Sequence, residues 1–181
     1  MDKYEKTACQ YRMTYDHHTH TIYSHGKGTI EDNVKTAAAK GLSSIAITDH
    51  GPGHLTYGMK MEKIPEMKAE IQRLRDIYPS VRVLLGVEAN TLRVPPYLDI
   101  TEKDKQQLDI LLAGYHFGIL KAGMVPNYIY SRTGAFGSGS SSLLVKNTDM
   151  ILKALYENKI DILTHPGDKG PFDIHDIAAA C

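Results

Sequence analysis

The chain has 181 residues, enough for one domain whose core buries roughly 70% of the unfolded surface, which argues against two independent domains and against a disulfide-dependent miniature. Twenty-one Lys and Arg balance 21 Asp and Glu, so the basic excess of a nucleic-acid or acidic-membrane binder is missing. Two cysteines, Cys9 and Cys181, stand near opposite ends without disulfide or metal spacing, whereas histidine reaches nine.

In chain order, the charged start Met1-Asp2-Lys3-Tyr4-Glu5-Lys6 has no apolar run of signal-peptide type. The longest mostly apolar stretch, Ile110 to Leu120, is too short to span a bilayer, so a cytoplasmic protein with no membrane partner is expected. A strand is expected from Arg12 to His20. Thr29 with Glu31 and Asp32 reads as a capped helix start, Val34, Ala37 and Ala38 continue it, and Gly41 ends it. Ser44 to Thr48 is a short apolar run suited to a doubly buried strand, closed by Asp49-His50-Gly51-Pro52.

Pro65 to Tyr78 fits a helix with Met67, Ile71, Leu74 and Ile77 on one face, and Val81 to Val87 is a third strand that ends at Glu88. Thr101 caps a short helix through Gln107, and Asp109 to Tyr115 forms a fourth strand ending at His116. A loop follows, with a Gly/Ser-rich tract, Gly137 to Ser142, of linker composition. Thr148 to Asn158 gives a helix, Ile160 to Thr164 a fifth strand ending at His165-Pro166-Gly167, and Asp173 caps a last helix, Ile174 to Ala180. Strand and helix alternate, which predicts βαβ units and a parallel sheet. Five strands are fewer than a closed (β/α) barrel needs, so the pattern reads as a barrel truncated after its fifth strand, about 60 to 80 residues short, with an open five-stranded sheet as the alternative.

Every expected strand finishes at a side chain able to hold a metal ion: His18 and His20, His50, Glu88, His116 and His165, with His25 just past the first. Parallel α/β sheets build their sites at the C-terminal strand ends, so these seven residues should converge. Alternation puts Asp16, His18 and His20 on one strand face and turns His17 away. Six imidazoles and a carboxylate crowded together cannot all be charged or unpaired, and divalent metal resolves that conflict. Imidazole and carboxylate without thiolate suit zinc, manganese or iron. The donors exceed what one tetrahedral ion takes, so two or three ions are expected, with Glu88 as bridge and a metal-bound water as nucleophile. Asp49 is expected to orient a ligand histidine. His54, after Gly51-Pro52-Gly53, belongs to a polar loop or touches substrate, and Asp173-Ile174-His175 reads as a helix cap rather than a metal pair.

Tyr15-Asp16-His17-His18-Thr19-His20-Thr21, Ser24-His25-Gly26, Ile47-Thr48-Asp49-His50-Gly51-Pro52, Gly86-Val87-Glu88-Ala89-Asn90, Ala113-Gly114-Tyr115-His116 and Thr164-His165-Pro166-Gly167 occur in that order. Together they resemble the successive motifs of the polymerase and histidinol phosphatase (PHP) family, most closely its stand-alone phosphatase-like branch. The resemblance implies a distorted (β/α)7 TIM-like barrel, residues 1–181 being one PHP domain without its last strands, and a trinuclear centre that hydrolyses phosphate esters. It also implies that His18, His20 and Glu88 hold one ion, His25 and His50 a second, and Glu88, His116 and His165 a third. The family's late Asp-x-His pair, which completes the first two ions, has no counterpart here, so only the third set is complete. The expected activity is phosphoric ester hydrolysis on a small phosphorylated substrate. The alternatives are a truncated metal-binding domain without turnover and a polymerase-associated domain acting on DNA 3′ ends, the latter disfavoured by neutral charge.

Overall fold

A computed structural model of the protein describes residues 12–133 and 137–181, which leaves the charged start and Cys9 outside the described residues. Cys181 is free and exposed. Five strands, β1 (Tyr15–Thr19), β2 (Ser44–His50), β3 (Arg82–Asn90), β4 (Ile110–Gly114) and β5 (Ile162–Leu163), form one sheet in the order of the sequence. All neighbouring pairs are parallel. A sequential parallel order is what a barrel winds, whereas a doubly wound open sheet reverses direction at a switch point. The fold is therefore α/β with the winding of a TIM-like barrel, and β1 and β5 are its edges among the described residues.

Register and alternation divide the sheet into two faces. Ile47 pairs with Leu85 and His50 with Glu88, so residues of like parity in β2 and β3 share a face. Ile45, Ile47, Val83, Leu85, Val87, Leu111 and Ala113 join the main apolar core with α1 (Ile30–Ala39) and α2 (Ile64–Ile77), through Val34 and Ala37 of the first and Met67, Ile71 and Leu74 of the second. His50, Glu88 and Gly114 lie on the opposite, concave face. A Cβ on Gly86 would come within 2.6 Å of the Ile110 carbonyl oxygen and 2.9 Å of Thr48, so small residues there leave room for the larger side chains at the strand ends.

Capping chemistry sets the helix starts. Thr29 and Asp32 form a reciprocal capping box at α1, and Thr101 with Asp104 does the same at α3 (Glu102–Lys105). Asp173 accepts from the backbone N–H groups of His175 and Asp176, so it is the N-cap of α6 (Ile174–Ala180).

Three local expectations change. The stretch after β4 holds a helix, α4 (Met124–Thr133), where sequence predicts only a loop, and the Gly/Ser tract is the start of α5 (Gly137–Glu157) rather than a linker. Linker composition is overridden because α5 continues into a buried face, where Met150 and Ile151 pack with Tyr115, Ile119 and Ile177 and Ala154 joins the main core. Asn127 of α4 and Asn147 of α5 bond to each other inside this second core, and Arg93 donates to Asn147. Finally, β1 carries a bulge between Asp16 and Thr19 that interrupts the assumed alternation. No helix among the described residues is long and apolar enough to cross a membrane.

Candidate metal centre

Glu88 is fully buried on the concave face, with ring nitrogens from four other strands or strand ends around its carboxylate. His165 Nε2 lies 2.9 Å from Oε1, His18 Nε2 3.2 Å and His116 Nε2 3.4 Å, while His50 Nδ1 and His20 Nε2 stand 3.1 and 3.5 Å from Oε2. His25 completes the group, its ring tilted against His20 and stacked on His50 at centroid distances of 4.7 and 4.8 Å. All seven residues singled out from sequence therefore come together. Three sets have donor atoms within 4.8 Å of one another: His20, His25 and His50; His18, Glu88 and His165; and His50, Glu88 and His116. This partition differs from the one the family resemblance implies, since His165 joins His18 and His50 is shared.

Local structure aims these rings. β1 brings His18 and His20 to Glu88 despite its bulge, and Asp16 instead accepts from the His18 backbone N–H. The turn between His20 and His25 needs glycine, because a Cβ on Gly26 would meet the His20 carbonyl. At the end of β5, His165 sits at φ +30°, a left-handed conformation costly for a non-glycine residue, and its ring reaches Glu88 from there. His17 stands apart from the group, its Nε2 2.9 Å from the Ser44 hydroxyl and its ring stacked on Tyr15, a placement that goes with the bulge rather than with simple alternation.

Asp49 does not touch a ligand ring. Its carboxylate accepts from the Thr21 N–H and hydroxyl and from the Ser24 hydroxyl at 2.5–2.7 Å, so it fixes the segment between His20 and His25 instead of orienting one imidazole. Ring orientation falls to Asn90, which sequence reasoning missed as a functional residue. Its Oδ1 lies 2.8 Å from His116 Nδ1, while its Nδ2 donates to Asp99 and to the Gly51 carbonyl. Those donations identify Oδ1 as acceptor, so His116 is protonated on Nδ1 and presents a bare Nε2 to the centre. A polar residue two positions after Glu88 on the same strand face is the signal that was available.

The electrostatics favour neutral imidazoles beside one anion. Burial, then the neighbouring His50, lowers His20 to about 3, and burial lowers His25 and His116. Burial alone would raise Glu88, but the bonds from His116, His165, His18 and His50 outweigh it and hold the carboxyl well below the usual range. Even so, His18 Nε2, His20 Nδ1, His50 Nδ1, His116 Nε2 and Glu88 Oε2 are buried without an aligned hydrogen-bond partner. Unpaired buried nitrogen lone pairs around a carboxylate fit divalent transition-metal ions, which would satisfy these atoms together.

The sequence model of the PHP domain matches residues 16–173. A protein described as a probable phosphatase from Proteus mirabilis is 31% identical over 170 residues, covering 90% of this chain and 58% of that protein. A probable phosphatase from Caldanaerobacter subterraneus is 32% identical over 182 residues, 97% of this chain and 61% of its own length. The chain thus spans about three fifths of the curated relatives it matches. A crystal structure from Listeria monocytogenes described as a "putative histidinol phosphatase" superposes with a TM-score of 0.50 at 17% identity, over 78% of this chain and 59% of that one, and shares its fold.

Proposed function

The chain belongs to the PHP domain family, and on that premise we propose that it is a metal-dependent phosphoesterase hydrolysing a small phosphate monoester. The observation that carries this reading is the convergence of six histidines around one buried carboxylate, with five donor atoms left unpaired. His18, His20, His25, His50, Glu88, His116 and His165 would hold two or three zinc, manganese or iron ions, Glu88 bridging between sets. Such ions, when bound, activate water at neutral pH and neutralise charge on a transferring phosphoryl group.

The protein's own part is positional. Asn90 and Thr164 hold His116 and Glu88, the latter through a 2.7 Å hydrogen bond from the Thr164 hydroxyl, and Asp49 holds the segment that carries His20 and His25. A small substrate is favoured over nucleic acid by the balanced charge and by relatives described as phosphatases, and the expected setting is the cytoplasm. Residues 1–181 would act together as one PHP domain.

Hydrolysis of p-nitrophenyl phosphate tests the assignment. Activity should vanish on chelation, return with manganese or zinc, and fall at least about a hundredfold in His18→Ala, whose ring lies 3.2 Å from Glu88. Full activity in that variant would overturn the assignment.

A further inference from the structure

Asn90 serves His116 in only one of two amide orientations, because turning the amide over would exchange the acceptor Oδ1 for a donor. The group that decides between them lies outside the ring of ligands. Beyond β3 the chain turns between Val94 and Tyr97 and returns across an antiparallel bridge from Thr91 to Leu98, which brings Asp99 beside Asn90. Main-chain bonds close this hairpin, from Leu92 N–H to the Tyr97 carbonyl at 2.8 Å and from Asp99 N–H to the Asn90 carbonyl at 3.2 Å. The turn therefore needs nothing from the Asp99 side chain.

The bonds of that carboxylate all come from donors. Oδ1 accepts from the Asn90 backbone N–H at 2.7 Å, and Oδ2 accepts from Asn90 Nδ2 at 2.5 Å and from Gly53 N–H at 2.7 Å. Gly51-Pro52-Gly53 makes room for it, since a Cβ on Gly51 would lie 2.4 Å from Oδ1 and one on Gly53 2.8 Å from Oδ2. A further bond, from Leu55 N–H to the Gly118 carbonyl at 3.0 Å, pins the same loop a second time. Between the two anchors stands His54, its ring stacked on His50 at 5.5 Å and on Tyr57 at 4.9 Å.

Asn90 Nδ2 has one other acceptor, the Gly51 carbonyl at 3.2 Å. The bond to Asp99 is shorter and charge-assisted, and such bonds are roughly twice as strong as neutral ones. Turning Asn90 over would set its oxygen against a carboxylate oxygen that can only accept, so Asp99 fixes the direction of the amide.

We propose that Asp99 is a positioning residue for the metal centre, acting through Asn90 to keep His116 protonated on Nδ1. The His116 Nε2, 3.4 Å from Glu88, is thereby left bare for metal. This rests on the metal-dependent reading of the centre and adds to it a carboxylate whose own bonds go to Asn90 and Gly53 rather than to a ligand ring. Asp99 lies outside every motif read from the sequence.

Nitrogen NMR of the metal-free chain at neutral pH reads the His116 tautomer directly. The wild type should show His116 protonated on Nδ1, and Asp99→Ala should move part of the population to Nε2–H. Asp99→Asn keeps an oxygen for Asn90 Nδ2 and should retain the wild-type tautomer. Zinc affinity, measured against a competing chelator, should fall on the order of tenfold in Asp99→Ala. In an Asn90→Ala background the same replacement should change it by no more than about twofold. Gly53 N–H loses its acceptor in either background, so melting temperature is not the readout, and the wild-type measurement stands whether or not Asp99→Ala folds. A wild-type His116 protonated on Nε2, an unshifted tautomer in Asp99→Ala, or a full loss of affinity that persists beside Asn90→Ala overturns the positioning role alone. A wild-type chain that takes up no zinc overturns the metal reading with it.

Discussion

At the scale of single residues, Glu88 and Asn90 determine what the site can hold. Glu88 is the anion to which five rings turn, and Asn90 sets the tautomer of one of them while itself resting on Asp99. Asn90→Ala should therefore lower zinc affinity about 10- to 100-fold, as loss of a ligand's hydrogen-bond partner does elsewhere, measured against a competing chelator. Unchanged affinity would mean that His116 needs no such support. A second consequence concerns acid. Burial and neighbouring imidazoles hold His20 near 3 and His54 near 4, below the ordinary 6.5. As pH falls below 6.5 the unfolded chain takes up protons that the fold refuses, so the metal-free fold loses stability as pH drops toward 4. The urea midpoint of chelator-treated protein should be lower at pH 5 than at pH 7.5, a window above the titration of ordinary carboxylates, and a flat profile would contradict the assignment. The ligand histidines were legible in sequence because strand ends are fixed by local pattern. For Asn90 only its place on the Glu88 face was legible; its part in setting a tautomer was not, because that depends on Asp99, which a separate bend of the chain brings beside it.

At the scale of elements, most strands and helices follow from periodicity and caps, and the exceptions have tertiary causes. β2 and β3 run beyond their apolar stretches because His50 and Glu88, polar in sequence, continue the ladder in register, buried against each other. α5 begins in a Gly/Ser tract whose own propensity is poor, carried by the packed face further along the same helix. Ser142→Pro separates helix from linker: inside a helix it should cost about 3 kcal/mol in urea unfolding, whereas in a linker it would cost nothing measurable. On β4, a Cβ added at Gly114 would run into the Thr164 hydroxyl and stand 3.1 Å from Glu88 Oε1 and 3.3 Å from the His116 ring. Gly114→Ala should thus destabilise the fold by about 1–3 kcal/mol and weaken metal binding in the same variant, read by thermal melting and metal content. Wild-type behaviour in both would show that the strand end can yield.

At the scale of the whole molecule, a sequential parallel sheet curls so that strand ends scattered between His18 and His165 share one small volume. Sequence order alone made that winding legible, since each strand is followed by a helix before the next parallel neighbour. The grouping of ligands into sets was not legible, because it depends on how far each loop carries its ring past the sheet. His165 reaches His18 through a left-handed backbone turn that no pattern announces. All of these features call for bound metal. Elemental analysis of the purified chain, compared with Glu88→Gln, tests it most directly. Two or three zinc, manganese or iron ions per wild-type chain are expected, and their loss on replacing the carboxylate to which the rings turn. A wild-type chain that is folded and free of transition metal, and that takes none up on titration, would contradict it.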